Sequence, residues 1–383
     1  MQRLHAEVGL AQLSKVGEEL CGDNVDIVRT PAATIIVMSD GLGSGVKANI
    51  LATLTTKIAT VMLKRGIPLA DVVNTIAETL PVCRQRKIAY STLHIIKIAP
   101  NGQATVVEFD CPETFLVRNG KVLKFPTHEK LVSGKTIREG ELWLQPQDIL
   151  VAVTDGVLHA GIGGLLKLGW GWKGVAGQIE RECDETSDAE IIGQHLINCC
   201  EGYYVGRPGD DSTALVIKMR YPQQLTLFTG PPADAGRDEE YVTRLLAETG
   251  KKVVAGGTTA QIVSKISNCP LTVDLTCQDP QIPPIGYIDG IDLVTEGVLT
   301  LHAAADRLTM TKNLRSTHKK DGATLLAKLL LAADKIKIFA GLAVNPAHQN
   351  PGFPLQMNIK SQVLKKLKAV LEAKGKEVVI EWI

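Results

Sequence analysis

The chain carries almost no net charge: 42 Lys and Arg against 41 Asp and Glu leave +1 over 383 residues. Without a field of one sign there is no basis for a nucleic-acid-binding or membrane-surface protein. Long apolar runs are also missing by composition. No stretch approaches the ~20 apolar residues of a membrane span, and Met1–Glu7 lacks the apolar core of a signal peptide. A cytoplasmic protein is the expectation. The eight cysteines (Cys21, Cys83, Cys111, Cys183, Cys199, Cys200, Cys269, Cys277) form no Cys-x-x-Cys pair and have no histidine at ligand spacing. That argues against zinc and leaves them as small buried hydrophobes in a reducing compartment. Cys21, two residues before Asp23, is the one expected to be sensitive to oxidation. Internal repeats and low-complexity segments are absent, and Val253–Ala260 matches neither a Walker loop nor Gly-x-Gly-x-x-Gly.

What is present is enough apolar residue, 45%, for compact folding over a length that implies two domains. Thr34–Met38 is a β-rich run ending at Asp40. A long helix follows, with Ile50, Leu51, Leu54, Ile58, Val61 and Met62 at helical spacing and an end at Gly66 before Pro68. A second helix is expected from Leu69 to Leu80. Hairpin signals come next: Ser91–Ile98 and Gln103–Phe109 around Pro100-Asn101-Gly102, then Thr114–Arg118 and Lys121–Phe125 around Asn119-Gly120. Ile149–Thr154 and Thr213–Met219 read as buried strands. Consecutive hairpins with helices set apart predict antiparallel sheets flanked by helices over residues 1–221. After Tyr221-Pro222 the pattern changes. Leu225–Phe228, Lys252–Ala255, Leu271–Leu275, Ile336–Ala340 and Val378–Trp382 alternate with helical segments such as Ser361–Lys374, which predicts a smaller parallel α/β domain over 222–383.

Four short stretches of the first domain each place an aspartate at a turn beside a strand. They are Cys21-Gly22-Asp23-Asn24, Met38-Ser39-Asp40-Gly41, Val153-Thr154-Asp155-Gly156 and Pro208-Gly209-Asp210-Asp211-Ser212-Thr213. Alone, an Asp-Gly after a strand is a turn residue. Together, carboxylates converging from separate strand ends suit a hard divalent cation, which takes oxygen ligands. In this order and context they resemble the metal-dependent serine/threonine phosphatases of the PPM (PP2C) class, and more closely the bacterial SpoIIE-type branch. Ser39-Asp40-Gly41-Leu42-Gly43-Ser44-Gly45 with Ala48 looks like that branch's acidic turn into its first core helix. Thr154-Asp155-Gly156-Val157 and Asp210-Asp211-Ser212-Thr213 look like its later metal motifs.

The resemblance implies an α-β-β-α sandwich and a phosphoprotein phosphatase that hydrolyses phosphoserine or phosphothreonine with a water activated at a two-ion Mn²⁺ or Mg²⁺ site. Asp40 would bridge the ions with the Gly41 carbonyl as a further ligand, Asp155 and Asp210 would hold the first ion, and Asp23 would lie on the side of the second. Asp40 and Asp155 are the catalytic pair on this reading. Asp211 is expected to support the turn, and Asp26 to be a solvated strand residue. Leu42 stands where animal-type members carry a histidine, so the general acid is unassigned. His159 and Arg207 lie near the motifs in sequence without a defined role.

In the second domain, Gly256, Gly257, Thr258 and Thr259 run from a strand into a helix. They read either as a tight β–α turn or as an anion site of backbone amides. Tyr287 to Gly297, with Asp289, Asp292 and Glu296, reads either as a pocket or partner edge or as a turn leading to a capped helix. The arrangement resembles an extension found on some SpoIIE-type phosphatases encoded beside iron-hydrogenase genes, and implies a regulatory partner or small ligand there. Two further readings stay open for the whole: a regulatory binding module with a phosphatase-like fold and little turnover, and a small-molecule phosphate hydrolase.

Overall fold

Short β-rich runs joined by tight turns dominate the first half of the chain, and each becomes a strand of an antiparallel ladder. The computed structural model describes residues 3–79, 91–186, 188–274, 284–310, 314, 317, 320–343 and 355–383. Cys83 and Cys277, and the expected ends at Leu80 and Leu275, lie outside them. The chain divides into two compact units, Met1–Tyr221 and Pro222–Ile383.

The first unit runs β1 (His5–Leu13), β2 (Asp23–Arg29), β3 (Thr34–Asp40), α1 (Gly45–Lys64), α2 (Leu69–Thr79), β4 (Leu93–Ile98), β5 (Gln103–Phe109), β6 (Phe115–Arg118) and β7 (Lys121–Lys124). It continues with β8 (His128–Val132), β9 (Lys135–Trp143), β10 (Ile149–Val153), α3 (Asp155–Leu158), α4 (Gly171–Glu185), α5 (Ala189–Tyr203) and β11 (Ser212–Arg220). Asn119 and Gly120 both take positive φ, 54° and 72°, as the two-residue turn between β6 and β7 requires. One sheet is ordered β1-β11-β10-β6-β7 and the other β2-β3-β4-β5-β9-β8. Ile36, Met38, Ile96, Leu150, Leu215 and Ile217 fill the space between them. Helices α4 and α5 cover the outer face of the first sheet through Val175, Ile179, Ile192 and Leu196. Helices α1 and α2 cover the other through Ala59, Leu63, Val72 and Ile76. The layers are α-β-β-α.

Helix α1 packs by a different face from the one its apolar spacing suggests. Ala48, Ala52, Thr55, Thr56, Ala59 and Thr60 are buried, while Ile50 and Leu54 are 59% and 51% exposed. The reason is steric. A Cβ on Gly41 would collide with the Ala48 carbonyl, so only small residues let the helix come this close to β3. Thr56 Oγ1 donates to Asn24 Oδ1 at 2.7 Å, and Thr60 Oγ1 to Asp26 Oδ2 at 2.5 Å. Asp26, which also pairs with Lys57 at 2.7 Å, is thus a docking residue for α1 and not a solvated one. With 20 residues, α1 is also long and apolar enough by length and composition to cross a membrane, against the expectation that no stretch is; it is the one such helix among the described residues.

A buried polar chain lies on the other face of the sheet that α1 covers, the one that carries Ile96 and Val106. His94 of β4 is 1% exposed; its Nε2 is 2.8 Å from Thr114 Oγ1, which donates to Glu108 Oε1 at 2.6 Å. Arg138 Nε donates to the other Glu108 oxygen at 2.8 Å. Burial pushes the imidazole from 6.5 down to about 4, against the attraction of Glu108 and with a smaller push from Arg138. Because the folded pKa lies below the unfolded one, neutral His94 supports the fold at neutral pH, and that support is lost as pH falls from 6.5 towards 4. Urea unfolding should therefore show about 2 kcal/mol less stability at pH 5 than at pH 7 from this group, a difference that His94→Leu should remove.

The second unit contains β12 (Gln224–Thr229), α6 (Asp238–Ala247), β13 (Lys251–Ala255), α7 (Gly257–Ser267), β14 (Thr272–Asp274), β15 (Ile285–Ile288) and β16 (Ile291–Thr295). Then come α8 (Val298–Met310), α9 (Gly322–Ala332), β17 (Lys335–Ala340), α10 (Leu355–Ala373) and β18 (Glu377–Trp382). Its sheet order is β14-β15-β16-β13-β12-β17-β18. The run from β16 to β18 is parallel, and β14 and β15 add an antiparallel edge. Tyr287 to Thr295 is thus mostly the β15–β16 hairpin, turning at Gly290 (φ 80°), with α8 starting only at Val298. Right-handed crossovers explain the layers. Helices α6 and α7, on connections running one way from β12, pack against Phe228, Val254 and Phe339. Helices α8, α9 and α10 pack on the opposite face against Leu227, Val253 and Ile338. The direction of winding reverses beside β12.

Candidate active site

Strand pairing within each sheet and the packing of the two sheets bring the four aspartates together. Asp23 opens β2 and Asp40 closes β3, and the two are direct partners in the ladder. Asp155 is the first residue of α3, immediately after β10, and Asp210 stands two residues before β11, the antiparallel neighbour of β10. The two sheets are tied at this end by Asp23, which is 2% exposed. Its Oδ2 accepts from Thr154 Oγ1 at 2.8 Å and from Thr213 Oγ1 at 2.6 Å, while Thr154 Oγ1 accepts from the Thr213 amide at 2.8 Å. A carboxylate from one sheet is thus held by two hydroxyls of the other.

The cluster has too much negative charge and too few donors. Asp23 Oδ1, Asp155 Oδ1 and Asp211 Oδ2 are buried and accept no hydrogen bond. Burial pushes the Asp23 carboxyl up to about 7, with Asp211 and Asp155 adding to it against the two threonine hydroxyls. Burial, then repulsion from Asp23 and Asp155, raises Asp40 to about 9. Burial and Asp155 raise Asp210 as well. Orphaned buried carboxylate oxygens held towards neutrality suit a hard dication. Among the described residues no three His, Cys, Asp or Glu side chains already converge on one point. An ion here would take carboxylates together with backbone carbonyl and several waters, the habit of Mg²⁺.

Around the four, glycines allow close approach. A Cβ on Gly41 would strike the Ala48 carbonyl, and one on Gly156 the Asp211 carbonyl. Tyr204 Oη donates to the Gly156 carbonyl at 2.8 Å; burial and then Asp210 push its phenol to about 12, so it stays a donor. Asp211 does more than support a turn: it is 3% exposed and accepts the Lys15 amide on Oδ1 at 3.0 Å, leaving Oδ2 in the cluster. His159 Nδ1 is 3.7 Å from Asp155 Oδ2, with the ring half exposed. Arg207 is exposed. Burial, then Asp23, raises the Cys21 thiol to about 12, which removes the thiolate on which the expected oxidation sensitivity depended. Thr154, Thr213 and Tyr204 were not anticipated. Only adjacency hinted at the threonines, one beside Asp155 and the other ending Asp210-Asp211-Ser212-Thr213. Gly256, Gly257, Thr258 and Thr259 belong to the second unit, at the turn from β13 into α7.

Residues 30–220 match the family model described as Stage II sporulation protein E (SpoIIE). Over these residues the N-terminal unit is similar to the SpoIIE family. A curated relative, Stage II sporulation protein E of Priestia megaterium, is 24% identical over 222 residues, which is 56% of this chain and 36% of the relative. The chain thus spans about a third of that protein's length. Among solved structures, the SpoIIE phosphatase domain of Bacillus subtilis is 20% identical and covers 58% of this chain and 95% of its own, with a TM-score of 0.44. The same organism's PP2C phosphatase domain with a fragment of the regulatory domain is 20% identical, covers 58% of this chain and 65% of its own, and has a TM-score of 0.48.

Proposed function

We propose that the N-terminal unit is a Mn²⁺- or Mg²⁺-dependent protein phosphatase acting on phosphoserine or phosphothreonine. The reading is supported most by the aspartate cluster, three of whose buried oxygens lack donors and whose carboxyls repel one another. Asp40 would be shared between two ions together with the Gly41 carbonyl. Asp155 and Asp210 would serve the first. Asp23, with Oδ2 already taken by Thr154 and Thr213, would offer Oδ1 to the second. When bound, the ions would neutralise phosphate oxygens and lower the pKa of a water. The chain's own part is positional: the two threonines fix Asp23, the Lys15 amide orients Asp211, and Tyr204 holds the Gly156 carbonyl next to Asp155. Residues 222–383 would regulate this unit through a partner or small ligand, with a phosphorylated protein as the substrate of the whole.

The test is metal removal. Phosphate release from a phosphoserine peptide should fall to background after dialysis against a chelator and return with Mn²⁺ or Mg²⁺. Full turnover in chelator would overturn the metal site. A strong preference for small phosphate esters over every phosphopeptide would move the substrate assignment to the small-molecule class.

A further inference from the structure

The second unit winds in both directions from β12, and the strand order β16-β13-β12-β17-β18 puts its topological switch point at the carboxyl ends of β12 and β17. In open doubly wound sheets this is where ligands bind. The first residue beyond each of three neighbouring strand ends is a glycine: Gly230 after β12, Gly256 after β13 and Gly341 after β17, adjacent because Thr229 pairs with both Ala255 and Ala340. A side chain at any of the three would make a close contact, and a collision with backbone only at Gly341. A Cβ on Gly230 would collide with Lys360 Nζ and one on Gly341 with the Pro231 carbonyl, and one on Gly256 would press on Thr259 Oγ1 at 3.3 Å.

Donors gather there without acceptors. Helix α7 has Gly256 as its N-cap, at φ 126°, and no side chain caps it. The first amide of the helix bond ladder to find a carbonyl is that of Ala260, on Gly256 O at 2.9 Å, so those of Gly257, Thr258 and Thr259 are the orphan donors of the first turn. Thr259 is 1% exposed, and its Oγ1 has no hydrogen-bond partner. It turns back towards the cap, over Gly256. Lys360 of α10 adds a cation that is partly buried and has no carboxylate partner among the described residues; its Nζ donates to Gly341 O at 2.7 Å. Burial lowers this ammonium to about 8. The neighbouring helix α8 is different. Glu296 Oε2 accepts the Gly297 amide at 2.6 Å, which puts one of the chain's own carboxylates at that terminus.

We propose that the second unit binds the phosphate group of a small phosphorylated molecule at this switch point, on the first-turn amides of α7, Thr259 Oγ1 and Lys360 Nζ. Every member of the set can donate and none carries negative charge, so it selects an anion. Several donors from two helices match a phosphate's acceptor oxygens better than the two of a carboxylate. The bare glycines let such a group reach the backbone. The proposal does not depend on the phosphatase reading, since none of its residues belongs to the aspartate cluster.

The test uses the full chain in chelator, so that the aspartate cluster holds no metal ion that could take up phosphate. Inorganic phosphate, AMP and ribose 5-phosphate are titrated by calorimetry, with acetate as the carboxylate probe. Saturable binding of at least one phosphate probe is expected. Lys360→Gln should weaken it by about 10-fold or more, the near-isosteric Thr259→Val should weaken it several-fold, and Asp40→Asn should leave it unchanged. Circular dichroism shows whether each variant is folded, and Thr259→Val carries the test if Lys360→Gln is not. AMP or ribose 5-phosphate binding tighter than inorganic phosphate would identify an organic phosphate as the ligand, and the reverse would identify the free anion. Failure of all three phosphate probes to bind, acetate binding equally well, or binding that survives Thr259→Val but is lost in Asp40→Asn would each overturn the proposal.

Discussion

Asp40→Asn should lower Mn²⁺-dependent phosphate release by about 10²–10³-fold, the scale of losing one group that stabilises charge in the transition state. The same variant should be no less stable than the parent. Asp40 stands against Asp23, Asp155 and Asp210, and burial with this repulsion raises its carboxyl to about 9. Asparagine keeps the shape and removes one member of a like-charge cluster, so thermal unfolding in chelator should occur at the same temperature or higher. Added Mn²⁺ should stabilise the parent more than the variant, because binding to the folded state alone raises its stability. The combination separates a functional carboxylate from a structural one: a residue kept for the fold would lose stability and activity together. An active Asp40→Asn protein would remove the central ligand of the proposed site.

The aspartates were legible because each sits where a strand gives way to a turn, and strand ends are local features of sequence. Their mutual arrangement needed the pairings of β2 with β3 and of β10 with β11, which span far more sequence than any local pattern. The hydroxyls of Thr154 and Thr213 escaped notice for a related reason. A threonine in a β-rich run reads as a strand former, and only the approach of the second sheet turns it into a donor to Asp23. Helix α1 shows the opposite failure. Its periodicity is plain, yet the spacing points to the large apolar residues as the buried side. Contact with β3 instead selects alanine and threonine because the helix backbone must come up against Gly41. In the second unit the strands β12, β13, β17 and β18 were visible as short apolar runs. The hairpin of β15 and β16 was hidden, because Asp289-Gly290 and the acids beside it look like a helix entry as much as a turn.

Gly156→Ala should damage the same site by geometry with no change of charge. Gly156 is the second residue of α3, packed against β11. A Cβ there would collide with the Asp211 carbonyl and lie 2.8 Å from Ser212 Oγ. Neither is the free end of a flexible side chain, so α3 must move away from β11. That movement would separate Asp155 from Asp210 and pull the Gly156 carbonyl off the Tyr204 hydroxyl, which now lies at 2.8 Å. Overpacking of this kind costs about 1–3 kcal/mol, and each kcal/mol is worth roughly 2–4 °C for a unit of this size. Gly177 of α4 is the contrasting position, with an ordinary helical φ and no atom within 4 Å of its added Cβ. Gly177→Ala should stabilise by about 0.5–1 kcal/mol, since glycine in a helix interior costs that much relative to alanine. Thermal unfolding of both variants in chelator, followed by phosphate release with Mn²⁺ restored, measures the two effects. Gly156→Ala should lose stability and most activity, and Gly177→Ala should gain stability with activity unchanged. Equal behaviour of the two would mean that α3 has slack against β11, and Asp155 would then not be held in place by the packing described for it.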